Sequence, residues 1–386
     1  MWKYLLSRFI QIAITLFVFF ALTYFILDAQ PGDITLQYID NPRFTEEQRL
    51  ALQRRLGLDR PVTERFLHWL GNTLKGNLGD SYIERRPVMD IIRERAPRTV
   101  FLFLTATMIE FFVGYFLGKL LAWGRGSAME YSVTVVGAIT YTIFTPWFAL
   151  IMIWLFGFIF HWFPLGKFLD PNIWRKIPVE AGINANIIFN NLLFSATLVV
   201  FVMMVVFALT IRLNPRRATI IRWSALLFTL TAAFVLWGSY QYGYLAWDII
   251  WHMILPVITL TIINFSGTML LTRTTMLETL REDYIVAARA KGLPERVVRD
   301  KHAARNALLP VFTNLMLTLP FIMAGGIITE TIFSWPGMGL TLLQASNSGD
   351  IPMVMGAFMF IGGFSLLAHL ITDITYAYLD PRIRYS

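Results

Sequence analysis

Eight long apolar segments alternate with polar connections along the chain. Each has roughly the 20 residues that a helix needs to cross the hydrocarbon core of a bilayer. Backbone groups in lipid must bond within their own segment, which favours helices, whereas a barrel would show shorter, alternating strands. The pattern predicts an all-α integral membrane protein with about eight spans, at residues 9–28, 99–122, 132–159, 188–211, 219–239, 249–272, 307–332 and 351–378.

Basic residues are concentrated in alternate connections, which predicts how the chain is oriented. Lysine and arginine are absent from the connections 240–248 and 334–350. Loops rich in these residues stay in the cytoplasm, so the basic stretches are predicted to be cytoplasmic. The N-terminal apolar run is longer than a signal-peptide core, and we expect it to be an uncleaved first span. The basic stretches are 1–8, 123–131, 212–222, 273–306 and the C-terminal tail.

The connection between the first two spans has a pattern of its own. A capping-box pair, Thr45 with Gln48, predicts one short helix that ends near Gly57. A second is predicted from Thr63, with Phe66, Leu67, Trp69, Leu70 and Leu74 mostly on one face, and a third from Pro87 to about Ala96. We therefore divide the chain into 1–98, the first span with an extracytoplasmic helical segment, and 99–386, a transmembrane domain.

Composition narrows the functions that the chain could have. Hydrophobic residues make up 56% and charged residues 15%, against about a quarter charged in soluble domains. The net charge of +8 is spread between apolar runs, which favours membrane orientation over nucleic-acid binding. The sequence has no cysteine, no phosphate-binding GxxxxGK[ST] loop and no HExxH or GxSxG motif. We expect no catalytic residue, no metal site and no cofactor in this chain.

Ionisable residues inside predicted spans are candidates for function, because charge in a bilayer is costly. Glu110 lies midway along the second segment, and lining of a cavity or structural pairing would each explain it. His369 and Asp373 share a helix face, and a hydrogen-bonded pair near the helix end is the simpler explanation. Gly114 and Gly118 form a GxxxG pair that predicts close helix packing.

The connection 273–310 carries the most information. An alanine-rich helix from Tyr284 to Lys291 is followed by Gly292 and Pro294, which break it, and a second helix then runs into the next span. The small side chains at 287, 288 and 290 would let another protein approach closely. A solvated charged loop would not explain that small-residue face.

This stretch resembles the coupling loop, or EAA loop, of permease subunits in ABC importers. Ala287, Ala288 and Gly292 match the two alanines and the glycine of the motif, while Val286 stands where the general motif has Glu. The detailed match is to the B-type subunit of the dipeptide/oligopeptide permease family. Further matching stretches are Pro31-Gly32-Asp33, residues 56–61, 76–81 and 86–88, 305–310, 330–339 and 380–384.

The resemblance implies a type I ABC importer-like permease of a prokaryotic cytoplasmic membrane. Its partners would be a second permease subunit, two ATPase subunits that hold ATP and Mg²⁺, and an extracytoplasmic binding protein. Peptides would be the cargo, with nickel chelates, glutathione or oligosaccharides as alternatives. The family usually has six spans, and the hairpin at 188–239 adds two. The residues implied in coupling to the ATPase are Tyr284, Ala287, Ala288, Arg289, Lys291 and Gly292.

Residues 330–339 form a second candidate site, in a polar turn after the seventh predicted span. Glu330 and Trp335 are candidate pathway or gate residues, because Pro336 and Gly337 stop the helix and aim the Trp at the interface. A simple interfacial anchor is the alternative.

Two other functions for the whole chain require features of their own. A secondary transporter would need ion-coupling carboxylates and inverted repeats, and a membrane enzyme would need paired catalytic groups. The sequence shows only Glu110 as a well-placed acid.

Overall fold

The structure is a computed structural model that describes residues 2–29, 47, 60–178, 180, 182–322 and 326–379. This part of the chain is all-α, as predicted. The helices are α1 (Trp2–Asp28), α2 (Val62–Leu74), α3 (Val88–Trp123), α4 (Ala128–Thr142), α5 (Thr145–Met152), α6 (Pro171–Trp174), α7 (Ala185–Thr210), α8 (Pro215–Ser239), α9 (Gly243–Thr279), α10 (Asp283–Ala290), α11 (Glu295–Val297), α12 (Ala304–Thr318), α13 (Ile327–Ile332), α14 (Met338–Asn347) and α15 (Ile351–Leu379). Two π-helical stretches extend this set, Ile153–Ile159 after α5 and Val298–Ala303 after α11.

Six helices among the described residues are long and apolar enough to cross a membrane: α1, α3, α7, α8, α9 and α15. A seventh span results if α4 and α5 with its π-helical extension are counted as one bent span. The predicted segment 132–159 is therefore a helix pair that is broken near residue 143, and not one straight helix.

The predicted span 307–332 is not continuous. Helix α12 ends at Thr318, and a 3₁₀ turn follows at Leu319–Ile322. Pro320 has no N–H with which to continue the helical hydrogen bonds, while Leu319 before it keeps helical dihedral angles, with φ −56° and ψ −41°. Residues 323–325 lie outside the described residues, and α13 then has only six residues. The prediction of one continuous helix over residues 307–332 was therefore wrong.

In residues 60–98 the structure differs from the short helices that the sequence predicts between the first two spans. The predicted helix from Pro87 to Ala96 is the first part of α3, which continues through Pro97 for 36 residues in all. Proline removes one helical hydrogen bond, and the loss is tolerated in a long packed helix. Helix α2 begins as predicted, but Leu67 and Leu74 are 64% and 77% exposed, so only part of the predicted face is buried. The predicted helix from Thr45 to Gly57 lies outside the described residues.

The chain divides into two compact units, residues 1–148 with 259–386, and residues 149–258. In the first unit, α3 packs tightly against the second half of α9. A Cβ at Gly114 would lie 2.7 Å from the Phe265 carbonyl oxygen, and one at Gly118 would lie 2.5 Å from that of Met269. The GxxxG pair therefore permits a backbone approach that any side chain would block.

One end of the first unit contains a buried apolar cluster where α1, α2, α3, α14 and α15 meet. Leu27 of α1 and Phe66 of α2 belong to it, together with Ile91 of α3, Leu342 of α14 and Val354 of α15. At about 25 cal/mol per Å² of apolar surface, burial of such side chains supplies most of the stabilisation here. The segment around α2 is therefore packed onto the helix ends.

The second unit contains the predicted hairpin as α7 and α8. Asn214 caps α8 by accepting a hydrogen bond from the Arg216 N–H, and Pro215 occupies the first helical position. At the other end of the unit, the buried Asp248 accepts hydrogen bonds from the Asp170 N–H at 3.0 Å and from Trp174 Nε1 at 2.8 Å. This carboxylate holds the connection before α7 in place.

Candidate functional site

The first candidate site is built on α10 and the turn that follows it. Asp283 in the first turn and Arg289 in the last turn both match the helix dipole. Gly292 has a φ of +73°, a backbone conformation that only glycine adopts without cost. Pro294 then precedes α11. The predicted helix, glycine turn and second helix are all present.

Helix α10 has two distinct faces. Ile285 and Ala288 point inward and join a buried cluster with Ala122 of α3, Met276 of α9 and Val298. Ala288 is only 6% exposed, so it does not lie on the surface offered to another protein. The sequence pattern alone placed all the small residues on one surface, because it did not show that the loop has a core of its own.

The rest of the surface of α10 is exposed, and it includes the other predicted coupling residues. Tyr284, Ala287 and Arg289 of the helix are exposed, as are Lys291 and Gly292 directly after it. The Tyr284 hydroxyl accepts a hydrogen bond from Asn306 Nδ2 at 2.7 Å. Arg289 Nε donates to Glu295 Oε1 at 3.1 Å, which ties the two sides of the glycine turn together. The turn is thus fixed by contacts within the loop.

Asp300 attaches the loop to α3, and sequence reasoning missed this contact. Lys119 Nζ of α3 lies 3.3 Å from Asp300 Oδ1, and Arg299 Nε lies 2.9 Å from the same oxygen. These two cations, Arg299 foremost, lower the pKa of Asp300 to about 2. Arg299 also lies over the Trp123 ring, 5.8 Å from its centroid. Asp300 is the one acid among the basic residues of 296–305, and this was the available signal.

A second ion pair fixes the end of α9 beside the loop. Arg273 Nε donates to Glu130 Oε1 of α4 at 2.8 Å. Glu130 Oε2 accepts from the Gly126 N–H at 2.6 Å, while its own N–H donates to the Ser127 hydroxyl. This arrangement resembles a capping box, which satisfies the free donors at the start of α4.

Glu330, the candidate gate residue, is a buried helix cap. Its Oε1 accepts from the Thr99 hydroxyl at 2.7 Å, and its Oε2 accepts from the Leu340 N–H at 2.8 Å, at the start of α14. The Thr99 oxygen in turn accepts from the Met338 N–H at 2.7 Å. Gly337 leaves room for this contact, since a Cβ there would lie 2.3 Å from Glu330 Oε1. The carboxylate therefore joins α3, α13 and α14.

Trp335 does not anchor the chain at an interface. It is fully buried, and its Nε1 donates to the Arg98 carbonyl oxygen of α3 at 3.2 Å. Proline and glycine do break the helix here as expected, but Ser334 has a φ of +51° and turns the chain inward. The sequence does not show whether the Trp335 side chain points into the protein or away from it, because the residues beside Pro336 are compatible with both directions.

Asp350, at the start of α15, is a buried acid that sequence reasoning missed. Its carboxylate accepts hydrogen bonds from the Ser81 hydroxyl and from the backbone N–H groups of Tyr82 and Ile83. It also accepts from the Met353 N–H in the first turn of α15. An aspartate directly before an apolar helix is a cap signal that could have been recognised.

The remaining candidates have structural partners. Glu110 forms a side-chain hydrogen bond with Asn264 of α9. Asp373 pairs with Arg8 of α1 at 3.4 Å, and His369 packs against the Phe321 ring. Across the described residues, no group of three or more His, Asp or Glu side chains could hold a metal ion. The clusters at α10 and α13 offer contact surfaces and connections between helices.

Comparisons with known proteins identify the family. Residues 187–385 match the model of the binding-protein-dependent transport system inner membrane component, and residues 1–103 match the N-terminal model of such membrane components. The chain is 32% identical over 366 residues to the di/tripeptide transport system permease protein DppB of Pseudomonas aeruginosa, covering 95% of this chain and 94% of that protein.

Two further relatives agree with this match. The dipeptide transport system permease protein DppB of Escherichia coli is 30% identical over 95% of this chain and 94% of its own length. The oligopeptide transport system permease protein AppB of Bacillus subtilis is 29% identical over 94% of this chain and 93% of its own length. The chain is therefore a multi-pass membrane protein that belongs to the family of binding-protein-dependent transport system inner membrane components, the permease subunits of ABC transporters.

Proposed function

We propose that this chain forms half of the translocation pathway of an ATP-driven peptide importer and that α10 couples it to an ATPase subunit. The observation that carries the proposal is the two-faced loop: one face of α10 is packed into its own chain, and the other is exposed. A loop built in this way can transmit movement, because a push on the exposed face moves the packed face with it. The matched family and the names of its relatives support peptide cargo.

Helix α3 provides the mechanical route across the membrane. Lys119 near the end of α3 binds the loop through Asp300, and Thr99, which closes the first third of the helix, binds Glu330. The 20 residues between them correspond to about 30 Å at roughly 1.5 Å per residue, the thickness of a bilayer core. Movement of α10 would therefore reach the turn at 330–339, which closes or opens the extracytoplasmic end. Two alternating states of this kind fit a rigid-body switch.

The partners follow from the same proposal. Two ATPase subunits bind and hydrolyse ATP with Mg²⁺, one against α10 of this chain and one against a second permease subunit. An extracytoplasmic binding protein delivers the peptide. This chain contributes no nucleotide site of its own. Cargo of another class, such as an oligosaccharide, a nickel chelate or glutathione, would leave the coupling mechanism unchanged.

The test compares bulky substitutions on the two faces of α10. In the reconstituted complex, Ala287→Trp is expected to abolish stimulation of ATP hydrolysis by peptide-loaded binding protein, because the exposed face can no longer seat in its groove. Overpacking of a tight interface costs about 1–3 kcal/mol, which is about a five- to 140-fold loss of affinity. Ala128→Trp is the control, since Ala128 is also exposed and begins α4. Normal stimulation and transport by Ala287→Trp would refute the coupling role.

A further inference from the structure

The hairpin of α7 and α8 has an extreme charge distribution. The segment between Glu180 and Asp248 contains no acid and no lysine. Its only charged residues are Arg212, Arg216, Arg217 and Arg222. All four lie at the closed end of the hairpin, in the turn after α7 or the first two turns of α8. We call residues 211–222 the basic turn.

The acids of this unit are far from the basic turn. Asp248 accepts a hydrogen bond from the Asp170 N–H at the opposite end of the hairpin, where Phe168 packs against Phe189 of α7, and Glu180 precedes the start of α7. Helix α7 has 26 residues, so about 40 Å separates the two ends, at roughly 1.5 Å per residue. The four positive charges therefore have no compensating carboxylate within their own unit.

Arg222 is held in place between the two helices. Its Nε donates to the Thr210 hydroxyl at 2.8 Å, and its guanidinium lies 4.0 Å from the centroid of the Phe207 ring. These contacts join α8 to the end of α7 and orient one cation at the level where the apolar helices end. Trp223 beside it is 67% exposed, as is typical of an aromatic ring at a membrane interface.

The surroundings of the basic turn are apolar and exposed. Ile211 and Leu213 are exposed on either side of Arg212. The most apolar stretches of α7 and α8 are almost entirely unburied, so acyl chains would cover them. Arg216 and Arg217 are exposed as well. Guanidinium groups thus stand at the rim of a surface that fits lipid tails.

We propose that the basic turn binds the headgroups of anionic phospholipids in the cytoplasmic leaflet. Guanidinium groups bind phosphate oxygens through paired hydrogen bonds, and basic clusters beside membrane helices attract anionic lipid. The site is committed to lipid over a soluble acidic partner, because it continues directly into the unburied apolar faces of α7 and α8, which acyl chains cover. The hairpin is then an anchor that senses the lipid composition of the membrane.

The test measures binding of phosphatidylglycerol and of phosphatidylcholine to the purified complete chain, by native mass spectrometry in a neutral detergent. The triple variant R212Q/R216Q/R217Q is expected to bind phosphatidylglycerol about 100-fold more weakly, at about fivefold per arginine. The variant R212K/R216K/R217K keeps the charge and should bind within about fivefold of the original chain. The control K167Q/R175Q/K176Q removes three exposed charges at the other end of the unit and should change nothing.

Several results would overturn the proposal. One is unchanged phosphatidylglycerol binding by the glutamine variant, which would leave the arginines with a role in orientation alone. Loss of binding in the lysine variant or in the distant control would point to misfolding. Displacement of the lipid by an equal concentration of inorganic phosphate would indicate a free-anion site. Loss of ATPase assembly with intact lipid binding would indicate a protein contact. Labelling of Pro215→Cys from the cytoplasm confirms the assumed side, and labelling only from outside contradicts it.

Discussion

A substitution at Gly292 tests the loop for which we propose coupling, residues 283–303, through backbone conformation alone. Its φ is +73°, and an added Cβ would meet no atom within 4 Å. The cost of a substitution is therefore conformational strain, without a clash. For an ordinary residue this is about 1–2 kcal/mol, while Asn tolerates the left-handed region better and a β-branched residue resists it most. We predict that the strain increases in the order Asn, Ala, Val.

Hydrogen exchange of the segment 283–297 measures this strain directly. The Lys291 N–H donates to the Ala287 carbonyl and the Leu293 N–H to that of Ala288, so opening of the turn exposes both amides. At 1.4 kcal/mol per decade, Gly292→Ala should speed their exchange about five- to thirtyfold. Gly71→Ala is the control, because it adds a Cβ in open space inside α2 without a positive φ. Equal exchange for the Asn and Val variants would refute the reasoning, as would slower exchange for Ala.

Three further predictions concern the loop and the cap. Ala288→Leu should lower the stability of the purified chain by about 1–3 kcal/mol through overpacking, whereas the exposed Ala287→Leu should stay within about 0.5 kcal/mol in thermal unfolding. Glu330→Gln should lower the free energy of unfolding by about 1–3 kcal/mol in the same assay, because the amide NH₂ would face either the Thr99 hydroxyl or the Leu340 N–H, which are both donors. An unchanged melting temperature would contradict this. The pKa of Asp300 is lowered from 3.8 to about 2, so its ion pair with Lys119 stabilises the loop above about pH 4 and is lost only as pH falls through about 2. Hydrogen exchange of the loop should therefore be independent of this group between pH 5 and 8, and Asp300→Asn should speed exchange throughout that range.

The membrane helices could be predicted because length and hydropathy decide them. Helices α7, α8 and α9 lie where the apolar runs predicted them, and the hairpin turn at Asn214 and Pro215 was readable from cap chemistry. Breaks inside apolar runs were harder to predict, since the hydropathy of the sequence does not change where a helix bends. The interruption after Thr318 coincides with Pro320, whereas α3 continues through Pro97, so a proline inside an apolar run does not by itself predict a break.

The loop at 283–303 was predictable in outline but not in its orientation. The turn was predicted from Gly292 and Pro294, and the structure adds that Gly292 has a positive φ. Whether Ala288 faces outward depends on contacts with Ala122 and Met276, which are distant in sequence. The same limit applies to Trp335, whose burial depends on the Arg98 carbonyl. Side-chain direction at these sites is a tertiary property.

The π-helical stretch Val298–Ala303 imposes a constraint on chain length. A π turn contains about one residue more than an α turn, and each residue rotates an α-helix by about 100°. Deletion of one residue here would convert the stretch to an ordinary helix and rotate everything before it relative to α12. Ile285 would then leave its pocket beside Met276. Single-residue deletions between 298 and 303 should therefore be poorly tolerated, and we expect the number of residues in this stretch to be constrained in homologous chains.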